Sequence, residues 1–463
     1  MTATDLPIGM LKPENWFPRK AMIAISRLTI WAFQKVKTPA VIRSRPTILG
    51  DDPVSAQTIA PDWLNTPETR AVMAALEAVR PGGARFVGGC VRNTLLGQPV
   101  DDIDIATQLK PDETLKALEA AGIRAEPTGL EHGTITAIIN GEPFEITSLR
   151  RDVETDGRRA VVAFTEDWEE DAQRRDFRLN AIYADAGGKL YDPTGGGLED
   201  AAAGRVIFIG DPDQRLREDY LRILRFFRFN AWYARKVDED GLAACARQKE
   251  GLNKIAAERI WKELKTLLSA SWVHPSVTDM QRAGILDIIL PYWLHAGLPM
   301  DTDVPAGSYV EDIEDSETAY DLPIDPLRRL MGLLPIEEAA VMSTAEALKL
   351  SNQERDRLLV QTKLAGYYES AADVRRDQYL FGREAMLDWV AQITDYNVWE
   401  ILKANRDVPV FPLRGEDLLK AGLKAGPAVG GLLRELEAWW IDGDFSAGKP
   451  ELLEELARRL KAD

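Results

Sequence analysis

The sequence predicts an α+β N-terminal domain followed by an all-helical remainder, and three observations lead to that prediction. Short segments between residues 84 and 148 alternate apolar and polar side chains, as half-buried strands do. Two of these segments are joined by Asn140-Gly141, the strongest short signal for a β-hairpin. After about Gly204 the strand signals end and the pattern becomes helical. A chain of 463 residues also suits two to four subdomains better than one core.

Local signals place the N-terminal elements in order. The stretch 61–80 predicts a helix, with Thr66 as its N-cap and Pro67 at its first helical position. A short strand follows from residue 84, and a second helix is predicted over 111–121. The segments GTITAIING and EPFEITSLR then predict an antiparallel pair around the Asn-Gly turn.

Two charged stretches interrupt this regular pattern. Residues 151–173 are dense in both signs of charge, and we expect them to form a mobile surface loop. Residues 300–326 carry nine acidic and no basic residues, which predicts a linker or an exposed insertion within the helical half. Near the C-terminus, Gly426-Pro427 predicts the start of a further helix.

Composition excludes several classes of protein. Acidic residues outnumber basic ones by 74 to 57, so a net charge of −17 argues against non-specific coating of nucleic acid but leaves a local basic groove open. Cys90 and Cys245 are the only cysteines, which fits a reducing compartment and leaves no thiolate cluster for zinc. None of the three histidines is followed by Asp, which excludes a histidine-rich metal phosphohydrolase centre. We find no apolar run long enough to span a bilayer and no indication of a protein partner.

The first 60 residues differ from the rest of the chain. Between Trp16 and Gly50 there are seven basic residues and no acidic one. We expect residues 1–60 to form a poorly ordered basic extension; a membrane-surface or RNA-contacting helix and an organelle transit peptide are the alternatives. We expect the protein to be located in the cytoplasm, with an organelle as the alternative location.

The stretch VDDIDIAT predicts a metal-binding pair of carboxylates. Asp102 and Asp104 alternate with Ile103 and Ile105, so on a strand both carboxylates lie on one face and the isoleucines on the other. Two carboxylates a few Å apart repel each other unless a cation lies between them. Oxygen ligands favour Mg²⁺, whose coordination substrate phosphates complete. The alternative is an acidic turn at a strand end, because Asp-x-Asp alone is a weak signal.

A glycine pair upstream strengthens the metal interpretation. Gly88 and Gly89 follow the strand segment RFV and precede a helical segment, so backbone N–H groups are expected to face a phosphate chain. Arg92 lies in the first turn of that helix, where its guanidinium can also bind phosphate. The third glycine of a dinucleotide fingerprint is missing, and no Gly-Lys-Ser/Thr of a P-loop follows. Phosphate at the glycines and metal at the aspartates predict a site for a nucleoside triphosphate with Mg²⁺.

The stretch FVGGCVRNTLLGQPVDDIDIAT also resembles the signature of the class II tRNA nucleotidyltransferase and bacterial poly(A) polymerase family. That pattern runs Gly-Gly-x-x-Arg-Asp, Leu-Leu-Gly and Asp-x-Asp, and Asn93 stands where the family usually has Asp. Four later stretches resemble the family's remaining motifs in the same order, so the resemblance extends from Pro61 to about Lys265.

The resemblance implies a domain order as well as a fold. The head, residues 61–204, would be a catalytic domain of the polymerase-β nucleotidyltransferase type. Residues 205–270 would form a helical neck that recognises the nucleotide base. Residues 271–463 would form a helical body and tail that bind tRNA, following the extension at residues 1–60.

The stretch RRDFRLNAIYAD resembles the family segment that contacts the triphosphate and ribose. Arg175, Asp176 and Asn180 occupy its marked positions, and a cation, a carboxylate and an amide are the groups that phosphates and sugar hydroxyls require. A salt-bridged helix start at the surface is an equal alternative. Glu145 falls where the family often has an acid near the metal pair, and we consider it as a third carboxylate.

The stretch LREDYLRILRFFRFNA is the most informative of the later motifs. Its apolar residues predict a largely buried helix, yet Arg222, Arg225 and Arg228 recur every three residues and require anionic partners. A triphosphate is one such partner, and an internal salt-bridge network is the alternative. The resemblance implies that Asp219 and Arg222, three positions apart and so on one helix face, select the base as a protein template. The later stretch AAERIWKEL, with Glu258, Arg259 and Glu263, is interpreted as bracing the neck.

Together these residues imply a Mg²⁺-dependent enzyme that adds CCA to the acceptor end of tRNA. Its substrates would be ATP and CTP, and pyrophosphate would leave. Poly(A) addition, CC-only addition and A-only addition remain alternatives within the family. A binding protein that keeps the fold without catalysis is the alternative from another class, and the intact pair Asp102 and Asp104 argues against it.

Overall fold

The computed structural model describes residues 58–130, 133–156, 159–294, 305–364 and 368–461. The basic extension predicted over residues 1–60 therefore lies almost wholly outside the described residues. In the described part of the chain, every strand ends before residue 192, as the loss of strand signals after Gly204 predicts.

The strands form one mixed sheet and one separate hairpin. The strands are β1 Ala84–Val87, β2 Ile103–Thr107, β3 Arg124–Gly129, β4 Thr134–Ile139, β5 Glu142–Ser148, β6 Arg150–Asp156, β7 Arg159–Phe164, β8 Tyr183–Ala184 and β9 Leu190–Tyr191. The sheet has the order β3-β4-β5-β2-β1-β8-β9, in which β2 and β5 are parallel and the other neighbours antiparallel. Asn140 and Gly141 join β4 to β5 with φ of 52° and 87°, so the predicted hairpin is confirmed.

The α-helices of the N-terminal domain are α1 Pro67–Val79, α2 Gly89–Leu95, α3 Pro111–Ala120, α4 Trp168–Gln173 and α5 Gly197–Ala203. Helices α1, α2, α3 and α5 pack on one face of the sheet, whereas α4 packs on the other, where Ala172 lies with Val87 and Ala106. Helix α1 begins where predicted, with the Thr66 hydroxyl accepting from the Thr69 N–H at 3.2 Å. Leu76 of α1 and Leu118 of α3 pack with Phe86 and Ile105 of the sheet, which leaves the even-numbered side chains of β2 on the opposite face.

The charged stretch 151–173 is not a loop, so that prediction is wrong. Strands β6 and β7 pair as an antiparallel hairpin and α4 follows them. The β-branched residues of RAVVAF supply strand propensity, and Asp167 caps α4 by accepting from the Glu169 N–H at 2.8 Å.

The remainder of the chain is helical. Its α-helices are α6 Pro212–Glu218, α7 Leu221–Tyr233, α8 Glu239–Gln248, α9 Ala257–Leu268, α10 His274–Arg282, α11 Leu286–Ile289, α12 Ala306–Ala319, α13 Pro326–Gly332, α14 Glu338–Leu348, α15 Asn352–Gln361, α16 Ala371–Phe381, α17 Arg383–Ile393, α18 Tyr396–Ala404, α19 Gly415–Lys420, α20 Pro427–Asp442 and α21 Lys449–Leu460. Helix α20 begins at Pro427, as predicted. None of the described helices is both long and apolar enough to cross a membrane.

The acidic stretch 300–326 is also ordered where the structure describes it, which corrects the predicted linker. Helix α12 buries Glu314 and Glu317, and Glu317 pairs with Arg329 of α13 at 2.9 Å. Partners of this acidic run therefore lie outside it, on α13 and also on α10 and α15, where His274 and Arg357 contact Glu314 and Asp325 at 2.9 and 2.8 Å. The local composition of the run was for this reason a misleading signal.

One apolar core joins the end of the head to the helical half. Phe177 of the head and Phe208 at the start of the neck both precede α7 in sequence, and their rings lie 6.3 Å and 5.3 Å from that of Phe226 on α7. The same cluster continues through α9 and α13 to Leu358. A separate cluster, which includes Leu418, Trp440 and Leu456, holds the last three helices together.

Candidate active site

The face of the sheet opposite α1 and α3 brings acidic side chains together. Asp104 lies on β2 beside Glu145 on the parallel strand β5, at the same register position. Asp102 is exposed and lies one residue before β2 begins, so it extends the acidic pair beyond the strand end. The alternation of Asp104 with the buried Ile105 is as predicted.

The electrostatics of Asp104 indicate where other charges lie. Burial, and then the charges of Glu145 and Asp102, raise its pKa to about 6, while Arg175 and Arg92 act in the opposite direction. Four of the residues discussed above, contributed by three separate stretches of sequence, therefore lie within electrostatic range of Asp104. Because the charged form of Asp104 is disfavoured in the protein alone, a cation at this face would stabilise it.

The chemistry of these donors fits a divalent cation. Asp102 and Asp104 supply carboxylate oxygens, which are the ligands that Mg²⁺ takes in combination with substrate phosphates. Among the described residues, no three His, Cys, Asp or Glu side chains converge closely enough to hold a metal ion by themselves. Glu145 as a third carboxylate therefore stays a prediction.

Gly88 brings the backbone close to Asp104. Its φ of 73° and ψ of −124° are conformations that residues with a Cβ rarely adopt. A Cβ placed on Gly88 would lie 3.5 Å from Asp104 Oδ2, which is an ordinary contact distance. The glycine is therefore required by the turn itself, and the turn carries the chain from β1 past the carboxylate into α2.

We expect Gly88→Ala to destabilise the protein by about 1–3 kcal/mol, because the alanine must adopt the strained backbone of this turn. Gly89→Ala is the matched comparison, since Gly89 is the first helical residue and a Cβ there meets Arg92 only at 3.9 Å. Chemical denaturation of the two variants measures the difference. Equal stabilities would show that the turn is not strained.

Arg92 is held by neutral groups. Its Nη1 donates to Asn180 Oδ1 at 2.7 Å, its Nη2 donates to the Tyr233 hydroxyl at 3.0 Å, and its Nε and Nη2 donate to Asn93 Oδ1 at 3.1 and 2.8 Å. The Tyr233 ring also lies 4.5 Å from the guanidinium carbon. Burial, the largest effect, lowers the pKa of Arg92. The guanidinium is thus fixed in place without a carboxylate partner among the described residues.

Asn93, the departure from the family pattern, has a defined role in this chain. While its Oδ1 accepts from Arg92, its Nδ2 donates to the Pro99 carbonyl at 2.7 Å. An aspartate could accept from Arg92 but could not donate to Pro99. The amide therefore ties Arg92 to the loop that leads into Asp102.

Arg175 depends on a residue that the sequence analysis missed. Asp171 is buried and accepts from Arg175 at 3.0 Å, from Arg174 at 2.7 Å and from the Tyr183 hydroxyl at 2.8 Å. Burial raises the pKa of Asp171, but the charges of Arg175 and Arg174 and the Tyr183 bond outweigh it and bring the pKa to about 2. The spacing Asp-x-x-Arg-Arg in DAQRR is the signal that could have revealed it.

Asp176 and Asn180 face inward and join the head to the neck. Asp176 Oδ2 accepts from Arg225 Nε and Nη2 at 2.8 and 2.6 Å, and its Oδ1 accepts from the Phe177 N–H and Asn180 Nδ2, both at 2.9 Å. All four acceptor positions of Asp176 are used within the chain. The structure thus gives Asp176 a bracing position, and its contact with a nucleotide stays a prediction.

Asp219 and Arg222 do not lie on one continuous helix, which corrects the expected i, i+3 geometry. Helix α6 ends at Glu218 and α7 begins at Leu221, and Asp219 lies in the break with its Oδ1 accepting from the Leu221 N–H at 3.0 Å. Asp219 prefers this position because its side chain satisfies a free N–H at the start of α7. Its other oxygen accepts from Arg259 at 3.1 Å, whereas Arg222 donates to Glu218 at 2.6 Å.

The arginines of α7 each have a carboxylate partner. Arg225 pairs with Asp176 at 2.6 Å, and Arg228 pairs with Glu263 of α9 at 2.7 Å. The internal salt-bridge network that the sequence left open is therefore present. Glu263 and Arg259 both cross-link α9 to this region, which agrees with the bracing role expected of their motif.

Comparisons with known proteins agree with this arrangement. Residues 84–207 match the model of the poly A polymerase head domain, and residues 236–296 match that of a probable RNA and SrmB-binding site of polymerase A. The solved structure of Bacillus stearothermophilus CCA-adding enzyme in complex with CTP has a TM-score of 0.65, covering 86% of this chain and all of that one. Its sequence identity is 24%, so this likeness shows a shared fold.

Sequence relatives identify the family. The mitochondrial CCA tRNA nucleotidyltransferase 1 of Danio rerio is 35% identical over 393 residues, covering 81% of this chain and 87% of that protein. A CCA-adding enzyme of Levilactobacillus brevis is 30% identical over 394 residues, covering 82% of this chain and 95% of that protein. Polymerase-type nucleotidyltransferases normally use a divalent metal. With this identity over most of both lengths, the chain belongs to the family of CCA tRNA nucleotidyltransferases, or CCA-adding enzymes.

Proposed function

We propose that this protein adds C, C and A in turn to the 3′ end of tRNA, using CTP and ATP without a nucleic-acid template and releasing pyrophosphate. The observation that carries the proposal is the convergence of Asp102 and Asp104 with Arg92 and Arg175 at one face of a nucleotidyltransferase head. Its similarity to named CCA-adding enzymes over most of its length supports this choice of product.

In this proposal the carboxylates of Asp102 and Asp104 hold Mg²⁺. The chemistry that a bound Mg²⁺ supplies is activation of the primer 3′-hydroxyl and neutralisation of the triphosphate charge. Arg92 and Arg175 bind phosphate oxygens, and the Gly88-Gly89 turn lets the triphosphate approach the backbone. Because little covalent chemistry falls to the protein in phosphoryl transfer, these residues act by orienting the triphosphate toward the hydroxyl.

Base selection is proposed for Asp219 and Arg222. Arg222 donates from Nη1 to Glu218 and to the Arg215 carbonyl and from Nη2 to the Arg174 carbonyl, so contact with a base requires that one of these bonds be exchanged. Asp219 is one-third exposed, and its Oδ2 accepts a hydrogen bond from Arg259. Arg225 and Arg228, which the sequence predicts as further nucleotide-binding residues, keep this segment in position through their carboxylate partners.

The experiment that tests the function is incorporation of labelled CTP and ATP, singly and together, on a tRNA transcript lacking its last three nucleotides. We expect C, C and a single A. An A-ladder made without CTP would identify a poly(A) polymerase. A product that stops after CC, or that forms only when CC is already present, would identify a CC-adding or an A-adding enzyme.

The body and tail, residues 271–463, are proposed to bind the tRNA. We also propose a cytoplasmic location, since Cys90 and Cys245 are both buried free thiols, as expected in a reducing compartment. The relatives include both mitochondrial and bacterial proteins, so an organelle remains the alternative. Fractionation of cells that express the tagged full-length protein would distinguish the two.

A further inference from the structure

Arg92 differs from the other arginines near the site in how its charge is balanced. Arg222, Arg225 and Arg228 each form an ion pair with a carboxylate at 2.7 Å or less. Among the described residues, Arg92 instead donates only to amide and hydroxyl oxygens, those of Asn93, Asn180 and Tyr233. A half-buried guanidinium without a carboxylate is costly in the protein alone, and an anionic ligand would remove that cost.

Tyr233 lies on the neck helix α7 itself, whereas Asn180 joins Arg92 to the neck indirectly, through Asp176. The side chain of Asn180 is 6% exposed, with Oδ1 accepting from Arg92 at 2.7 Å and Nδ2 donating to Asp176 at 2.9 Å. An arginine can only donate and a carboxylate can only accept, so the two partners fix the orientation of the amide. Asp176 is in turn held by Arg225 of α7.

The Asp176 carboxylate is paired with Arg225 and does not contact Arg92 directly. Burial raises the pKa of Asp176, but the Arg225 charge and the bonds from Asn180 and Arg225 bring it to about 2. The neutral amide lies between the two and gives Arg92 a hydrogen bond, while the Asp176 charge acts on Arg92 only at longer range. Arg92 thus keeps its own charge while its guanidinium lies against the first turn of α2, 3.9 Å from a Cβ placed on Gly89.

We propose that Asn180 is a positioning residue rather than a nucleotide contact: it holds Arg92 in place, without a carboxylate in direct contact, as the cation that binds the polyphosphate of the incoming nucleotide. This rests on the proposed function, in which the ligand is a nucleoside triphosphate. Together with the Tyr233 hydroxyl, which α7 itself supplies, the same amide holds Arg92 of the head in place relative to the neck.

The direct test is equilibrium binding of inorganic tripolyphosphate and of CTP to the full-length protein, measured by titration calorimetry. We expect Asn180→Ala to weaken binding of both by about 10-fold, as loss of a positioning partner typically does, and to leave cytidine binding unchanged. The Michaelis constants for CTP and ATP should rise by the same factor, since the triphosphate is common to both. Asn65→Ala is the matched control, because Asn65 accepts from Arg70 at 2.7 Å in the same way on the exposed surface.

A double mutant separates positioning from a general structural effect. If Asn180 acts through Arg92, then Asn180→Ala should cause no further loss of tripolyphosphate binding in an Arg92→Ala background. The same fold-loss in both backgrounds, or an unchanged affinity in Arg92→Ala, would overturn the proposal. Asn180→Asp is the isosteric variant, to be used in both backgrounds if the alanine variant does not fold, as judged from its thermal midpoint. Failure of the proposed function would appear separately, as absence of incorporation by the wild-type protein.

Discussion

Replacement of Asp104 by asparagine is expected to reduce nucleotide incorporation by roughly 1,000-fold or more. A metal held at the reacting phosphate contributes several kcal/mol of transition-state stabilisation, and about 1.4 kcal/mol corresponds to a factor of ten in rate. Asparagine keeps the shape of the side chain but loses the charge that the cation requires. Single-turnover incorporation of CTP on the truncated tRNA transcript measures the loss.

The same substitution should not lower stability. The pKa of Asp104 is raised to about 6 in the folded protein from an ordinary value of 3.8, so the folded state binds this proton more tightly than the unfolded state. The stability contributed by that proton is lost as the pH rises through 6. At pH 7.5 the charged carboxylate lowers the free energy of unfolding relative to a neutral side chain. The thermal midpoint of Asp104→Asn, measured with a chelator at pH 7.5, should therefore equal or exceed that of the wild type.

Asp101→Asn provides the control for this experiment. Asp101 is exposed and adjacent to the acidic pair, yet it lies outside the alternation that places Asp102 and Asp104 together. Its variant should retain incorporation and tRNA binding. Incorporation by Asp104→Asn at a rate close to that of Asp101→Asn would show that the metal assignment is wrong.

Replacement of Asp176 by alanine is expected to destabilise the protein by about 3–5 kcal/mol, because it leaves the half-buried Arg225 with only the Glu263 carboxylate, 3.9 Å away. It also removes the acceptors for the Phe177 N–H and for Asn180. The pKa of Asp176 is held near 2, so the stability it contributes is present above its ordinary value of 3.8 and is lost as pH falls toward 2. Chemical denaturation at pH 7 and at pH 3 should show a smaller difference between variant and wild type at the lower pH.

A double-mutant cycle with Arg225→Ala isolates the ion pair. A coupling free energy of about 2 kcal/mol or more is expected for a pair this buried. Glu239→Ala is the control, since Glu239 pairs with Arg282 at 3.1 Å where both side chains are half exposed or more, and such pairs contribute little. Independent effects of Asp176→Ala and Arg225→Ala would contradict the bracing position assigned to this pair.

The parts of the fold that the sequence predicted are those set by local signals. Asn140-Gly141 fixes its hairpin because both residues adopt positive φ, and Thr66 fixes the start of α1 by capping it. The alternation around Asp104 fixes which face its carboxylate occupies. In each of these cases the information lies within a few residues of the structure it determines.

The parts that could not be predicted depend on distant partners. The acidic run around Glu317 resembles a linker until Arg329 neutralises it in the next helix. Asp219 could equally have continued a helix, and only its bonds to the Leu221 N–H and to Arg259, 40 residues away, show that it ends one. The sequence identified Arg225 as a residue in need of an anion but could not choose between a nucleotide and Asp176.

The core shared by Phe177, Phe208 and Phe226 limits how family members can be recombined. A chimera joined at residue 204 would take the first phenylalanine from one parent and the other two from the other, so rings that pack 4.8–6.3 Å apart would no longer be matched. A crossover between α18 and α19 would instead leave the buried residues of this cluster and of the separate C-terminal cluster each from a single parent, dividing only the contacts of Tyr379 on α16 with Trp440 and Phe445. Exchange of tails between relatives should therefore yield folded hybrids more often than exchange of heads.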